Sequence, residues 1–271
     1  MRRDILALTY CTKDQPNLRY WINSALLFDY EFKIIGFREP WKSWKGRAKM
    51  YFDHLGTLAD DRVVICCDSN DLFFVGGAHE LRQKFENWEK GWNGFPVIVG
   101  AESACCTGEY NTDKSLKSHA LLKTREYTSN RYRFPNGGFV MGRAKPMHTF
   151  YSKLLECDDD QACILRMYID NPTAFYLDSS NIFCGNIAAV HGLQIEFAEN
   201  WDDALVNKGS LNKPSVVHFP GIGATQDWSL YHDLYSQAVD QNHVPTRQYN
   251  SWIFIVVMTV IVLLCLFFLS L

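Results

Sequence analysis

The chain has 271 residues, 47% of them hydrophobic and 14% aromatic, and a net charge of −3. That composition excludes an intrinsically disordered or low-complexity chain and supplies enough apolar side chains for one sizeable core or two small ones. The slightly acidic balance argues against nucleic acid as a partner, because binding phosphates needs a surplus of Lys and Arg on one face.

In chain order, residues 5–11 read as a short buried strand, followed by a polar turn over 12–17 and an amphipathic helix over 18–28. Residues 32–36 form a second strand. Over 41–58 the apolar residues Trp44, Ala48, Tyr51, Phe52 and Leu55 recur at helical spacing, with Lys42, Lys45, Arg47 and Lys49 between them. The apolar run 62–67 ends abruptly in Asp68-Ser69-Asn70-Asp71. Gly76-Gly77 then precedes a helix over 78–88, and 97–100 is a further strand. Residues 139–142 and 215–218 read as later strands, and 161–169 as a helix opened by Asp158-Asp159-Asp160. Solid apolar strands alternating with helices predict an α/β domain, with a mainly parallel sheet covered by helices on both faces.

Composition changes sharply at the far end. Residues 237–250 are polar, contain Pro245 and read as a linker, whereas 252–271 carry no charge, Gly or Pro. At about 1.5 Å per residue that apolar run reaches about 30 Å, the thickness of a bilayer's hydrocarbon core. Near the amino terminus the apolar run is too short for a signal peptide and no small-residue cleavage site follows it. The expected organisation is therefore a domain over 1–236, a linker over 237–250 and a transmembrane tail anchor over 251–271, with the domain facing the cytosol. Nine cysteines, an odd number, with no C-x-x-C among them, predict neither a zinc ribbon nor disulfides.

Four groups of residues bear on chemistry. Asp68 and Asp71 follow a strand, where ligands of open α/β sheets bind, and two carboxylates placed there can share a hard cation with phosphate oxygens. The same four residues also suit a plain turn. His218 ends a late strand and can serve as a metal ligand or as a structural histidine. Asp158, Asp159 and Asp160 include more carboxylates than helix capping requires, which leaves one or two for a cleft. The cations over 42–49 form either a solvated face or a site for a diphosphate.

With these motifs in order, the sequence resembles the glycosyltransferase domain of the procollagen lysyl hydroxylase/glycosyltransferase enzymes over about residues 5–228. The most specific stretch is VVICCDSNDLFFVGGAHELRQKF; GAESACC, PNGGFVMG, DDDQACILRMYID, LDSSNIF and VVH follow in register. The resemblance implies a GT-A-type fold and a manganese-dependent transfer of a hexose from a UDP-sugar, UDP-glucose or UDP-galactose, to a hydroxyl on a protein or glycan. Carried over, Asp68, Asp71 and His218 match the metal ligands, Lys49 the donor-site lysine and Gly221 a glycine near the diphosphate. Asp159 and Asp160 match the acidic pair of the sugar pocket, Asn136 its asparagine, and Thr9 and Thr12 the approach of the first strand to the nucleotide. Asn70 stands where the family stacks a Tyr on uracil, Cys106 where it has a pocket Trp, Pro220 inside the family's H-G-N-G stretch, and Ala224 on a later lysine. These departures leave open a second reading, a membrane-anchored protein that binds nucleotide or sugar without turnover. A metal-dependent phosphohydrolase is a third.

Overall fold

The computed structural model describes residues 4–91, 97–105, 108–187, 212–221 and 228–240. Its strands are Leu6–Tyr10 (β1), Glu31–Ile35 (β2), Val63–Cys67 (β3), Leu72–Phe74 (β4), Val97–Glu102 (β5), Phe134–Arg143 (β6), Tyr176–Asp178 (β7), Cys184–Asn186 (β8) and Val216–His218 (β9). A six-stranded sheet has the order β2-β1-β3-β6-β5-β7, and a small sheet the order β4-β9-β8. In the large sheet β2, β1 and β3 run parallel, as do β5 and β7; β6 alone opposes its neighbours.

Every residue of β1 and β3 is buried, and successive side chains go to opposite faces. Leu6, Leu8, Val64 and Cys66 pack with the helices Trp44–Leu55 (α2), Ala144–Leu154 (α6) and Asp160–Asp170 (α7). Ile5, Ala7, Val63, Ile65 and Cys67 pack with Leu18–Leu27 (α1) and Ala78–Gly91 (α3) on the other face. This is the covered, mainly parallel sheet that the solid apolar runs predict, and it fits a GT-A-like domain. Glu109–Thr112 (α4) and Lys114–Tyr127 (α5) pack beside α7, and Ser229–Asp240 (α8) sets Tyr231, Leu234 and Tyr235 against Phe73 and Phe219.

Three expectations need correction or qualification. Cys157 and Cys163 are joined by a disulfide, and Cys105 is also disulfide-bonded. The chain turns back at the start of α7 and brings Cα atoms 157 and 163 to 5.9 Å, a proximity that spacing alone does not reveal. The opening positions of the expected linker, from 237, are the last turn of α8. The expected anchor over 251–271 lies outside the described residues; among the described residues no helix is long and apolar enough to cross a membrane.

One buried side chain fixes α2 over the sheet. The β1–β3 ladder ends at the pair Leu8↔Cys66, and beyond it the Tyr51 hydroxyl accepts from the Tyr10 N–H (3.0 Å) and donates to the Cys67 carbonyl (3.1 Å). Both backbone groups would otherwise be stranded in the core. Tyr51→Phe should therefore destabilise the chain by about 1–3 kcal/mol in chemical denaturation. A loss below about 0.5 kcal/mol, the range of ordinary surface changes, would contradict this role.

Candidate active site and metal centre

Three strand ends deliver the central residues. Asp68 follows β3, and its N–H donates to the Gly138 carbonyl of β6 (3.0 Å). Asp71 precedes β4, whose antiparallel pairing with β9 sets Leu72 opposite His218; the Phe219 N–H donates to the Asp71 carbonyl (2.8 Å). The register of the small sheet thus brings an imidazole beside carboxylates far away in sequence. One ligand atom from each of Asp68, Asp71 and His218 lies within 4.8 Å of the others.

The imidazole is oriented from behind. Asn186 Nδ2 donates to the Ala101 carbonyl (2.8 Å), which turns Asn186 Oδ1 toward His218 Nδ1 at 2.7 Å. Nδ1 therefore carries a proton and donates it. His218 is 1% exposed, and its Nε2 makes no hydrogen bond of good geometry among the described residues. It faces Asp71 Oδ1 at 3.5 Å and Asp68 Oδ2 at 3.8 Å. Burial alone would lower the His218 pKa, but Asp71, Asp68 and Glu102 outweigh it and raise the value above the ordinary 6.5. Two carboxylates and an imidazole nitrogen facing one another call for a positive charge between them. The O, O, N donor set fits a divalent cation such as Mn2+.

Only glycine allows this approach of β6. A Cβ on Gly138 would lie 2.2 Å from His218 Cε1 and 2.9 Å from Asn136 Oδ1. On the β5 side β6 is bulged: Val99 pairs with Val140, yet Gly100 pairs with Asn136.

The three residues line a cavity of about 870 Å³, together with Asn136, Asp159, Asp160 and Gly221. Asn136 Nδ2 donates to Glu102 Oε1 (3.0 Å), and its Oδ1 accepts from the Gly138 N–H (2.8 Å). Burial pushes the Glu102 carboxyl up to about 7, against the Asn136 hydrogen bond, which lowers it. Asp159 is the N-cap of α7: its Oδ1 accepts from the Ala162 N–H (3.0 Å). Asp160, the first residue of that helix, is 4% exposed and pairs with Arg47. Burial raises its pKa, and the Arg47 guanidinium opposes that shift.

The remaining sequence candidates stand apart from the cavity lining. Lys49 is exposed and paired with Asp53 at 2.7 Å. Thr9 is fully buried inside β1, and Thr12 and Asn70 are half-buried. Among the described residues, the cation that lines the cavity is Arg47. A readable signal separates the two: Arg47 precedes buried Tyr51 by one helical turn, whereas Lys49 precedes Asp53 by the same turn on the solvated side. Glu102, Gln161 and Asn186 also escaped sequence reasoning as site residues. Glu102 lies within the matched stretch GAESACC, but nothing in its local pattern distinguishes it from a strand-end carboxylate.

A profile of the PLOD GT domain matches residues 1–230. The Caenorhabditis elegans multifunctional procollagen lysine hydroxylase and glycosyltransferase is 24% identical over 238 residues, 80% of this chain and 30% of that protein. The human multifunctional procollagen lysine hydroxylase and glycosyltransferase LH3 is likewise 24% identical, over 80% of this chain and 30% of its own length. Human procollagen-lysine,2-oxoglutarate 5-dioxygenase 1 is 32% identical over 182 residues, 62% of this chain and 22% of that protein. The chain thus spans less than a third of the length of these relatives.

A proton and a metal ion compete for His218 Nε2. Mn2+ affinity should therefore rise with pH through the His218 titration, and Gly138→Ala should weaken it at every pH by displacing the ring. Calorimetric Mn2+ titrations between pH 5.5 and 8.5 check both; a pH-independent affinity, or wild-type affinity in Gly138→Ala, would contradict the assignment.

Proposed function

The chain belongs to the PLOD GT domain family, and on that basis we propose that it is a metal-dependent glycosyltransferase. In this reading it moves a hexose from a UDP-sugar, UDP-glucose or UDP-galactose, to a hydroxyl of a protein or glycan acceptor. The observation that carries the proposal is the Asp68–Asp71–His218 triad in the lining of a cavity whose wall also holds Asp159, Asp160, Glu102 and Asn136.

Breaking a sugar–diphosphate bond leaves negative charge on the departing nucleotide. A divalent cation held by Asp68, Asp71 and His218 supplies the charge that stabilises this leaving group. The chain's own residues do the rest. The carboxylates of Asp68, Asp71, Asp159 and Asp160 make the cavity strongly acidic, and Arg47 offsets only part of that charge. A free nucleoside diphosphate is therefore repelled, and donor binding depends on prior loading of the cation.

Asp160, held by Arg47, and Asp159, one of whose oxygens is committed to the helix cap, present acceptors to sugar hydroxyls. Glu102, partly protonated near neutral pH, can both donate to and accept from a hydroxyl. The apolar run at 252–271 supports attachment of the domain to a bilayer.

Incubation of the chain with Mn2+ and a panel of nucleotide sugars tests the reading. Transfer to an acceptor hydroxyl, or slow donor hydrolysis with a sugar preference, is expected, and EDTA should abolish it. Asp68→Ala should lower turnover by about a hundredfold or more, whereas Asp158→Ala, at an exposed position, should leave it unchanged. Donor binding without turnover would replace the transferase with a binding protein, and phosphate release without sugar preference would replace it with a hydrolase.

A further inference from the structure

We propose that Arg47 is a positioning residue that holds a metal-ligating carboxylate, Asp68, and a sugar-wall carboxylate, Asp160, in one rigid frame. The inference rests on the metal-site reading above. Arg47 projects from the first half of α2 into the cavity wall, with its side chain only 11% exposed. Its Nη1 donates to Asp68 Oδ1 (2.7 Å), while Nε (2.9 Å) and Nη2 (2.7 Å) both reach Asp160 Oδ2. The guanidinium lies 4.8 Å from the centre of the Trp44 ring. Contacts in the plane and on a face thus fix the group, and Tyr51, one turn later, fixes the helix that carries it.

The division of labour at Asp68 identifies the role. Oδ1 is taken by Arg47, and Oδ2 is the oxygen turned toward His218 Nε2. Arg47 therefore leaves one oxygen aimed into the triad and stops the carboxylate from rotating away. It also stands between half-buried Asp68 and buried Asp160, which would otherwise repel each other. A lysine would supply the charge but not the planar fork that engages two carboxylates at fixed angles. Hydrogen-bonding partners of this kind around metal ligands are worth about 10–100-fold in metal affinity.

The test measures Mn2+ binding to the full chain by electron paramagnetic resonance, with no donor or acceptor present. Arg47→Met alone strands buried Asp160 without its counterion and can prevent folding. The informative variant is therefore Arg47→Met/Asp160→Asn, compared with Asp160→Asn, in which Arg47 still holds Asp68. Asp160→Asn should bind Mn2+ within about threefold of wild type, and the double variant about 10–100-fold more weakly, with both unfolding cooperatively at similar temperatures. Arg47→Lys should fall between wild type and the double variant.

Equal affinity in the double variant and Asp160→Asn would overturn the positioning role. Tighter binding in the double variant would overturn it too, making Arg47 a latch that masks Asp68. Wild-type protein that binds no Mn2+ would instead sink the metal-site reading, and Arg47's role with it.

Discussion

Three electron-pair donors face one another: the half-buried carboxylates of Asp68 and Asp71, and the nitrogen of a buried imidazole whose ring is turned by Asn186. Such a cluster is unfavourable unless a positive charge sits among the donors. A proton on His218 would answer part of that demand, the direction in which Asp71, Asp68 and Glu102 shift its pKa against burial. A divalent cation answers it more fully and brings open coordination positions for phosphate oxygens. The rest of the molecule can be understood as the apparatus that holds this cluster together against its own repulsion.

That apparatus is distributed across both sheets. The large sheet ends β3 just before Asp68 and carries β6 beside it, where Gly138 leaves room for the imidazole. The small sheet is needed to bring His218 alongside Asp71, through a ladder of only three pairs. That short ladder is backed by an aromatic cluster of Phe73, Phe219, Tyr231 and Tyr235. Within the core, Tyr51 bridges β1 and β3 just beyond the end of their ladder and so sets the depth of α2. Positions that look like ordinary core, such as Tyr51 and Phe73, therefore set the geometry of a polar site.

Much of this was legible in the sequence because the strands are solid apolar runs. VVICC and its abrupt end in Asp68 placed both the central strand and a candidate ligand, and VVH placed His218 at a strand end. What escaped was whatever depends on tertiary partners. β4 is three residues long and exists because β9 pairs with it. α5 is buried only at Ala120 and Thr124 and shows little periodicity to read. Lys49 and Arg47 share a helix and a charge, and the spacing of Arg47 to buried Tyr51, legible but unused, decides which one reaches the cavity. Asp158, Asp159 and Asp160 are indistinguishable as a string, yet the first is exposed, the second caps α7 and the third is buried against Arg47. The disulfide between Cys157 and Cys163 likewise follows from the turn that this cap creates.

Asp68, Asp71 and His218 are proposed to bind one cation together, and anomalous diffraction from crystals of the chain grown with Mn2+ can locate it. A single strong peak is expected in direct contact with one oxygen of each aspartate and with His218 Nε2, with Asp68 Oδ1 still held by Arg47. A peak elsewhere in the cavity, or His218 turned away from a metal bound by the carboxylates alone, would contradict it.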